Sequence, residues 1–594
     1  MGIGVSKQAI LRAGRAAPQA RSELAAALSA CRRALIALGL ASALVNILYL
    51  TGSLYMLEVY DRVLPSRSIA TLIGLSVLVL ALYGFQALLD VLRGRILIRV
   101  GRSLGQSLSL RTYETIARLA LHNPRQGDGL QPIRDLDQVR AFLSGTGPVA
   151  LLDMPWLPLY IAVCFAFHTW LGVAALVGAI LLVGLTLLTE VFTKEPTKAA
   201  TALAAQRNAL AESSYDNAEV LHAMGMAPHL GAVWHEVNVK YLDAHQRASD
   251  VGGALGAISK VMRMVLQSAM LGIGALLVIQ QQATAGVMIA ASIIVARALA
   301  PVDLAIANWR GFVAFRQSWR RLSELLKVMP DGKAQLELPK PVSSLSVEGI
   351  RVAPPGGTRV VVQDATFRLE KGSALGVVGP SASGKSSLAR VLVGVWRAVG
   401  GAVRLDEAKL DHWPAGALGR HVGYLPQDVQ LFSGTVAQNI ARLENEPAPQ
   451  AVIAAAMAAG VHEMILHLPE GYETEVGEGG ASLSAGQQQR IALARALYGD
   501  PFLVVLDEPN SNLDTDGEEA LTKAIAGVRA RGGIAVVIAH RPSALASVDL
   551  VLVMVDGRAQ FFGPRDEALA KLRRAPAAPA VPLKVVSKSG EVAS

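Results

Sequence analysis

Eight consecutive residues, Gly379-Pro-Ser-Ala-Ser-Gly384-Lys385-Ser386, have the types and spacing that hold a polyphosphate. They satisfy G-x-x-x-x-G-K-[ST] without a mismatch. Glycines let backbone N–H groups turn inward around phosphate, and a following helix points its positive end at the same place. Lys385 would reach the β- and γ-phosphates of ATP, and the Ser386 hydroxyl would hold Mg²⁺. The candidate nucleotide contacts are Gly379, Ser381, Ser383, Gly384, Lys385, Ser386 and Ser387. Farther on, Phe502-Leu-Val-Val-Leu-Asp507-Glu508 is an apolar run ending in two carboxylates. Asp507 suits the Mg²⁺ shell, and Glu508 is placed to polarise an attacking water.

Such a loop works only between a strand and a helix, and both are legible. Ala374-Leu-Gly-Val-Val378 reads as a buried strand before it, and Leu388-Ala-Arg-Val-Leu-Val as a helix after it. From about residue 345, short β-branched runs alternate with helical patterns, which predicts a mostly parallel sheet. The rest of the chain is of another kind. Of 594 residues, 52% are hydrophobic and 17% charged, with mean hydropathy +0.38, too apolar for a soluble enzyme alone. The net charge of +9 does not point to nucleic acid, because much of the basic excess flanks apolar segments, where it sets membrane orientation. Cys31 and Cys164 have no disulfide or zinc spacing and read as packing residues.

In order, residues 1–33 are predicted to form a cytoplasmic amphipathic segment. Six apolar stretches of spanning length follow, at about 34–57, 69–89, 149–167, 171–188, 258–279 and 287–307, within a membrane domain of residues 34–328. A short polar link, 58–68, joins the first two. The long basic stretches, 93–146 and 193–254, belong inside, so both termini are expected in the cytoplasm. Residues 329–346 read as a linker, 347–574 as the nucleotide-binding domain and 575–594 as a disordered tail. Arg297 and Asp303 beside Pro301 either line a path through the membrane or stand in cytoplasmic water at the helix end.

Leu483-Ser484-Ala485-Gly486-Gln487 precedes a helical run and resembles the signature of the ATP-binding cassette (ABC) superfamily, with Ala485 in place of a glycine. Ala there is harmless if its φ is negative. Tyr424-Leu-Pro-Gln427 is similar to the Q-loop, Ser511-Asn-Leu-Asp514 to the D-loop and Ile538-Ala-His540 to the switch histidine. The resemblance implies a head-to-tail homodimer in which each ATP lies between Lys385 of one copy and Ser484, Gly486 and Gln487 of the other. Asp514 would lie at the same interface, Gln427 would report on Mg²⁺ and water, and His540 would contact the γ-phosphate. The family usually stacks adenine on an aromatic, whereas here Ile350-Arg-Val-Ala353-Pro354 offers none. Either Pro354 or a neighbouring aliphatic packs on the base, or base selectivity is relaxed.

Tyr60-Asp-Arg-Val-Leu-Pro-Ser-Arg67, Asp153-Met-Pro-Trp-Leu-Pro158, Ala223-Met-Gly-Met226, Arg297-Ala-Leu-Ala-Pro301 and Glu508-Pro-Asn-Ser-Asn-Leu-Asp514 look like the type I secretion exporters of the PrtD type. The implied fold is a membrane α-helical domain of six transmembrane helices (type I ABC exporter fold) fused to an α/β P-loop ABC ATPase domain. The implied function is ATP-driven export of an unfolded protein (RTX-type, C-terminal signal) from the bacterial inner membrane. Its partners would be a periplasmic membrane-fusion adaptor, an outer-membrane channel, the secreted protein and membrane lipid. Thr474–Gly480 resembles an exporter segment that meets coupling elements of the membrane domain, for which 131–141 and 215–226 are candidates. About thirty residues before the first span cannot hold the extra peptidase-like domain of some relatives. The rival reading is an exporter of lipid, glycan or small hydrophobic molecules. Six spans argue against a soluble cassette ATPase, and a fused cassette argues against an importer.

Overall fold

The computed structural model describes residues 23–122, 129–329, 338–539 and 545–574. The chain divides into two compact units near residue 331. Among the described residues of the first, six helices are long and apolar enough to cross a membrane: Arg32–Ser66, Ile69–Leu121, Gly147–Phe167, Thr169–Asp216, Ala227–Ile279 and Ala285–Ala307. Helix continues well past the apolar windows in the second, fourth and fifth, so the stretches expected as long polar connections are largely helical extensions of the spans.

The polar link after the first span is not a loop. Helix continues through a π-turn, Val59–Val63, to Ser66, and ends where Arg67 adopts φ +51°. Asp61 explains why polar sequence stays helical here. Its carboxylate accepts from Thr284 Oγ1 (2.5 Å) and from the Gly286 N–H (2.9 Å), capping the first turn of the sixth span. A Cβ on Gly286 would come within 2.6 Å of that carboxylate, so only glycine admits the cap.

A buried polar cluster joins the first three spans. Asp153 accepts two bonds from Arg93 (2.9 and 3.0 Å), one from Asn46 Nδ2 (2.8 Å) and one from Ser42 Oγ. Arg93 also meets Asp90 at 3.0 Å, and Tyr160 donates to the Asn46 carbonyl at 2.8 Å. Beside it the Arg297 guanidinium stands 5.1 Å over the Tyr49 ring. Charges in a membrane domain are stable only when paired in this way.

Of the two candidate coupling segments, 131–141 lies in α1 (Gln131–Ser144), which packs against α2 (Trp309–Val328). Asp135 there accepts from Ser318 Oγ and Arg321 Nε at 2.9 Å each, and Phe142 stacks on Phe315. The other segment is an exposed turn about a short helix, Ala218–Ala223, with Tyr215, Val220 and Met224 in solvent.

The second unit holds a ten-stranded sheet in the order β5-β4-β1-β2-β10-β9-β3-β8-β7-β6. The strands are β1 Ser344–Val352, β2 Val362–Glu370, β3 Ala374–Val378, β4 Gly400–Leu405, β5 Ala408–Lys409, β6 Val422–Leu425, β7 Leu503–Asp507, β8 Ile534–Ile538, β9 Leu550–Val555 and β10 Arg558–Pro564. β6, β7, β8, β3 and β9 run parallel, and β7 and β8 are buried at every residue. That burial on both faces is why they read as unbroken apolar runs.

Candidate nucleotide site

Parallel strands bring their C-terminal ends to one edge, the usual place for a ligand in an open α/β sheet. β3 delivers Gly379, β7 delivers Asp507 and Glu508, and β6, paired with β7 through Leu425↔Leu506, delivers Gln427 two residues later. β8 ends at Ile538 on the same edge, while His540 lies outside the described residues.

The loop after β3 is shaped by two backbone positions in the left-handed region, Ala382 (φ +62°) and Gly384 (φ +93°). Such turns point successive N–H groups into one hollow. A Cβ at Gly384 would come within 2.6 Å of the Val361 carbonyl, and one at Gly379 within 2.0 Å of the Met554 carbonyl. Neither glycine tolerates a side chain. α3 (Lys385–Leu392) starts directly after Gly384 and presents its N-terminus to the same hollow.

Lys385 is buried and donates to the Gly379 and Pro380 carbonyls at 2.9 and 2.8 Å, which fixes its ammonium within the loop. Burial pulls its pKa down, and the nearby Glu508 and Asp507 oppose that shift. Ser386 Oγ donates to Asp507 Oδ1 at 3.2 Å. Asp507 is 1% exposed, and its other oxygen, Oδ2, is buried without a hydrogen-bond partner among the described residues. Burial is the main cause that raises its pKa, against the Ser386 bond that lowers it. A buried carboxylate oxygen lacking a donor, beside a serine hydroxyl, fits an oxygen-binding divalent cation such as Mg²⁺. Ser383 Oγ is likewise buried without a partner at the base of the loop. Ser381 is exposed on the loop's rim and Ser387 half-buried in the first turn of α3.

Glu508 follows β7 with φ +52°, a conformation costing about 1–3 kcal/mol for a residue with a side chain. Its N–H donates to the Ile538 carbonyl at 3.0 Å. The residue that steadies positions 508–512 is one that the sequence motifs did not single out. Gln489, 3% exposed on α4 (Ala485–Leu497), donates Nε2 to the carbonyls of Pro509 (2.8 Å) and Glu508 (3.3 Å) and to Ser511 Oγ (3.2 Å). Its Oε1 accepts the Asn512 N–H at 2.9 Å. A run of three glutamines that begins with the last residue of the signature is the only trace of this role in the sequence.

Ser484 caps α4 reciprocally with Gln487: its Oγ accepts the Gln487 N–H at 3.3 Å, and Gln487 Oε1 accepts the Ser484 N–H at 2.9 Å. Ala485 is the first helical residue and is not at positive φ, the condition under which alanine replaces glycine without penalty. Gly486 passes so near the Asn512 carbonyl that a Cβ would sit 3.0 Å from it. Ser484 and Ala485 are exposed. Asp514 caps α5 (Thr515–Ala530) through the Gly517 N–H at 2.9 Å and pairs with Arg490, so its carboxylate already has two partners within this chain. The region around Pro354 presents a half-buried proline and, among the described residues from 350 to 361, no aromatic.

Two family descriptions match the chain: an ABC transporter transmembrane region over residues 35–300 and an ABC transporter domain over 362–511. The type I secretion system ATP-binding protein PrsD of Rhizobium meliloti is 58% identical over 93% of this chain and 94% of its own. The cyclolysin secretion/processing ATP-binding protein CyaB of Bordetella pertussis is 29% identical, covering 89% and 75%. The toxin RTX-I translocation ATP-binding protein of Actinobacillus pleuropneumoniae is 28% identical over the same shares. Among solved structures, a bacterial Atm1-family ABC exporter with ATP bound superposes with a TM-score of 0.80 at 23% identity, over 93% of this chain and 100% of that one.

Proposed function

The chain belongs to the ABC exporters of type I secretion, membrane proteins whose ATP hydrolysis drives export, and we propose that it works as a homodimer that moves an unfolded protein out of the cell. The observation that carries this reading is the likeness to a type I secretion ATP-binding protein along both units, over 93% of the chain. The relatives named for cyclolysin secretion and RTX-I toxin translocation support a polypeptide cargo, read here as RTX-type with a C-terminal signal. A periplasmic adaptor and an outer-membrane channel are the partners such a route requires. The six spans suit the bacterial inner membrane, with both termini in the cytoplasm beside the ATP supply.

Chemically, the inward N–H groups around Ala382–Gly384 and the Lys385 ammonium hold the β- and γ-phosphates. Ser386, Asp507 and Gln427 are the groups that would hold Mg²⁺, which when bound neutralises developing phosphate charge. Glu508, held by its strained backbone at the edge of the sheet, orients and polarises the attacking water, with His540 assigned to the γ-phosphate. Ser484, Gly486 and Gln487 of one copy close over the nucleotide of the other. Asp514 serves this interface by capping α5 and holding Arg490, which is an indirect part.

The test compares culture-supernatant proteins of cells carrying the native chain with those carrying Lys385→Ala. Loss of one or a few large secreted proteins, retained in the cytoplasm, supports the reading and identifies the cargo. An unchanged supernatant with altered membrane lipid or drug sensitivity overturns it in favour of small-molecule export.

A further inference from the structure

A cavity of about 490 Å³ lies among the fourth, fifth and sixth spans, at the ends from which the chain runs on into α2. Its lining carries three cations, Lys260, Arg263 and Arg310, against a single carboxylate, Asp303. One oxygen of that carboxylate accepts from Ser259 Oγ at 2.9 Å, and the other stands 2.8 Å from Arg263 Nε, an ion pair balanced in charge though neither atom makes a formed hydrogen bond among the described residues. The lining threonines have donated their protons to their own helix, Thr189 to the Leu185 carbonyl and Thr193 to the Thr189 carbonyl. With the Asp303–Arg263 pair set aside, what the cavity has left over are donors. The Trp309 Nε1–H is buried with no acceptor among the described residues, Lys260 is exposed at the rim, and Arg310 gives one N–H to the Ala248 carbonyl at 2.6 Å. Gly252 lets that guanidinium lie against the helix, since a Cβ there would stand 3.1 Å from it. A surplus of cations and N–H donors over acceptors calls for an anionic, acceptor-rich ligand.

The surroundings select which anion. Leu187, Leu188, Val191 and Phe192 lie beside Thr189 and Thr193 on the fourth span, and Val261, Met264 and Val265 beside Lys260 and Arg263 on the fifth, all roughly half exposed or more. The cavity thus sits where apolar helix surface gives way to polar sequence, the level of lipid headgroups, with a tryptophan at its wall. We propose that this cavity is a binding site for the phosphate headgroup of an anionic phospholipid, whose acyl chains lie along the neighbouring apolar helix faces. Basic pockets between helices at this level bind anionic headgroups by the same arithmetic of charge. The site lies outside the ATP machinery and does not depend on the identity of the cargo.

The experiment uses the full-length protein, delipidated in detergent, with phosphatidylglycerol as the probe and the thermal midpoint as the readout. Phosphatidylglycerol is expected to raise the midpoint saturably, and phosphatidylcholine to leave it unchanged. In the Lys260→Gln/Arg310→Gln double variant the half-saturating lipid concentration should rise about thirtyfold, as two lost surface cations imply. Asp303→Asn removes the opposing charge while keeping one carbonyl oxygen, enough to accept from Ser259 or from Arg263 but not from both, and it frees the Arg263 cation, so it should bind at least as tightly as the native chain. A merely structural disturbance would weaken binding in that variant too, and that result overturns the proposal. So does equal stabilisation by phosphatidylcholine, or an unchanged affinity in the double variant. Inorganic phosphate or a glutamate-rich peptide producing the same shift without lipid would assign the cavity to a free anion or to the exported chain instead.

Discussion

Gln489→Ala separates positioning from binding at the ATP site. The native side chain makes two well-formed bonds, to the Pro509 carbonyl at 2.8 Å and from the Asn512 N–H at 2.9 Å, and two longer ones to Glu508 and Ser511. Each good bond contributes about 1 kcal/mol net, and a buried donor or acceptor left unmatched costs about 1–3 kcal/mol more. Water entering the space left by the side chain recovers part of this, leaving roughly 3 kcal/mol of lost order in residues 508–512. Expressed wholly at the transition state, that is about a hundredfold in kcat, and about tenfold if half is felt there. The hydrogen bonds of Gln489 go to residues 508–512 and not to the loop 379–386, so ATP affinity should hold. The assay is steady-state ATPase in lipid nanodiscs beside equilibrium binding of a fluorescent ATP analogue. A lowered thermal midpoint with native kcat would refute the reasoning and leave Gln489 as a stability residue. Weakened nucleotide binding with unchanged kcat would refute it as well.

Asp153→Ala leaves the buried Arg93 guanidinium with Asp90 alone and should cost about 3 kcal/mol, the low end for breaking a buried pair, seen as a lowered unfolding midpoint in detergent; a native midpoint contradicts the pairing. Burial raises the folded pKa of Asp507 above the usual 3.8, so between the unfolded and folded values this group takes up a proton on folding. Its contribution therefore favours the nucleotide-free cassette below the ordinary aspartate range and is lost as pH climbs through the raised value. Asp507→Asn should accordingly raise the neutral-pH midpoint without nucleotide while abolishing Mg²⁺-dependent turnover, and a lowered midpoint counts against it. Glu508→Gln should bind ATP with near-native affinity yet lose at least about a hundredfold in turnover, measured by single-turnover hydrolysis; native turnover would remove Glu508 from its role.

The spans and the parallel strands were legible because burial on all sides writes itself as unbroken apolar runs, as in Leu503–Asp507 and Ile534–Ile538. The phosphate loop was legible because Gly379 and Gly384 answer to backbone contacts that no other residue survives. Long-range polar pairing was not. Asp153 meets Arg93 across sixty positions and Asp61 meets Gly286 across more than two hundred, and nothing local in sequence marks either bond. The link 58–68 looked like a loop because its polar residues suit one, whereas Asp61 caps another helix. Gln489 was hidden among identical neighbours, since helix phase alone decides which glutamine faces residues 508–512. The left-handed φ of Glu508 likewise has no signature in residue type.

At the centre of the proposed mechanism, each chain would carry half of each ATP site. That is tested most directly by co-expressing a Lys385→Ala chain with a Ser484→Arg chain and measuring ATPase activity of the purified mixture. Neither variant alone has an intact site. In a head-to-tail pair, both defects fall on one interface and the second interface is native, so random pairing restores up to about a quarter of the sites. Turnover should stand well above that of either variant alone, and be lost again when Lys385→Ala and Ser484→Arg are placed in the same chain. Mixed dimers no more active than their parents would contradict a shared site.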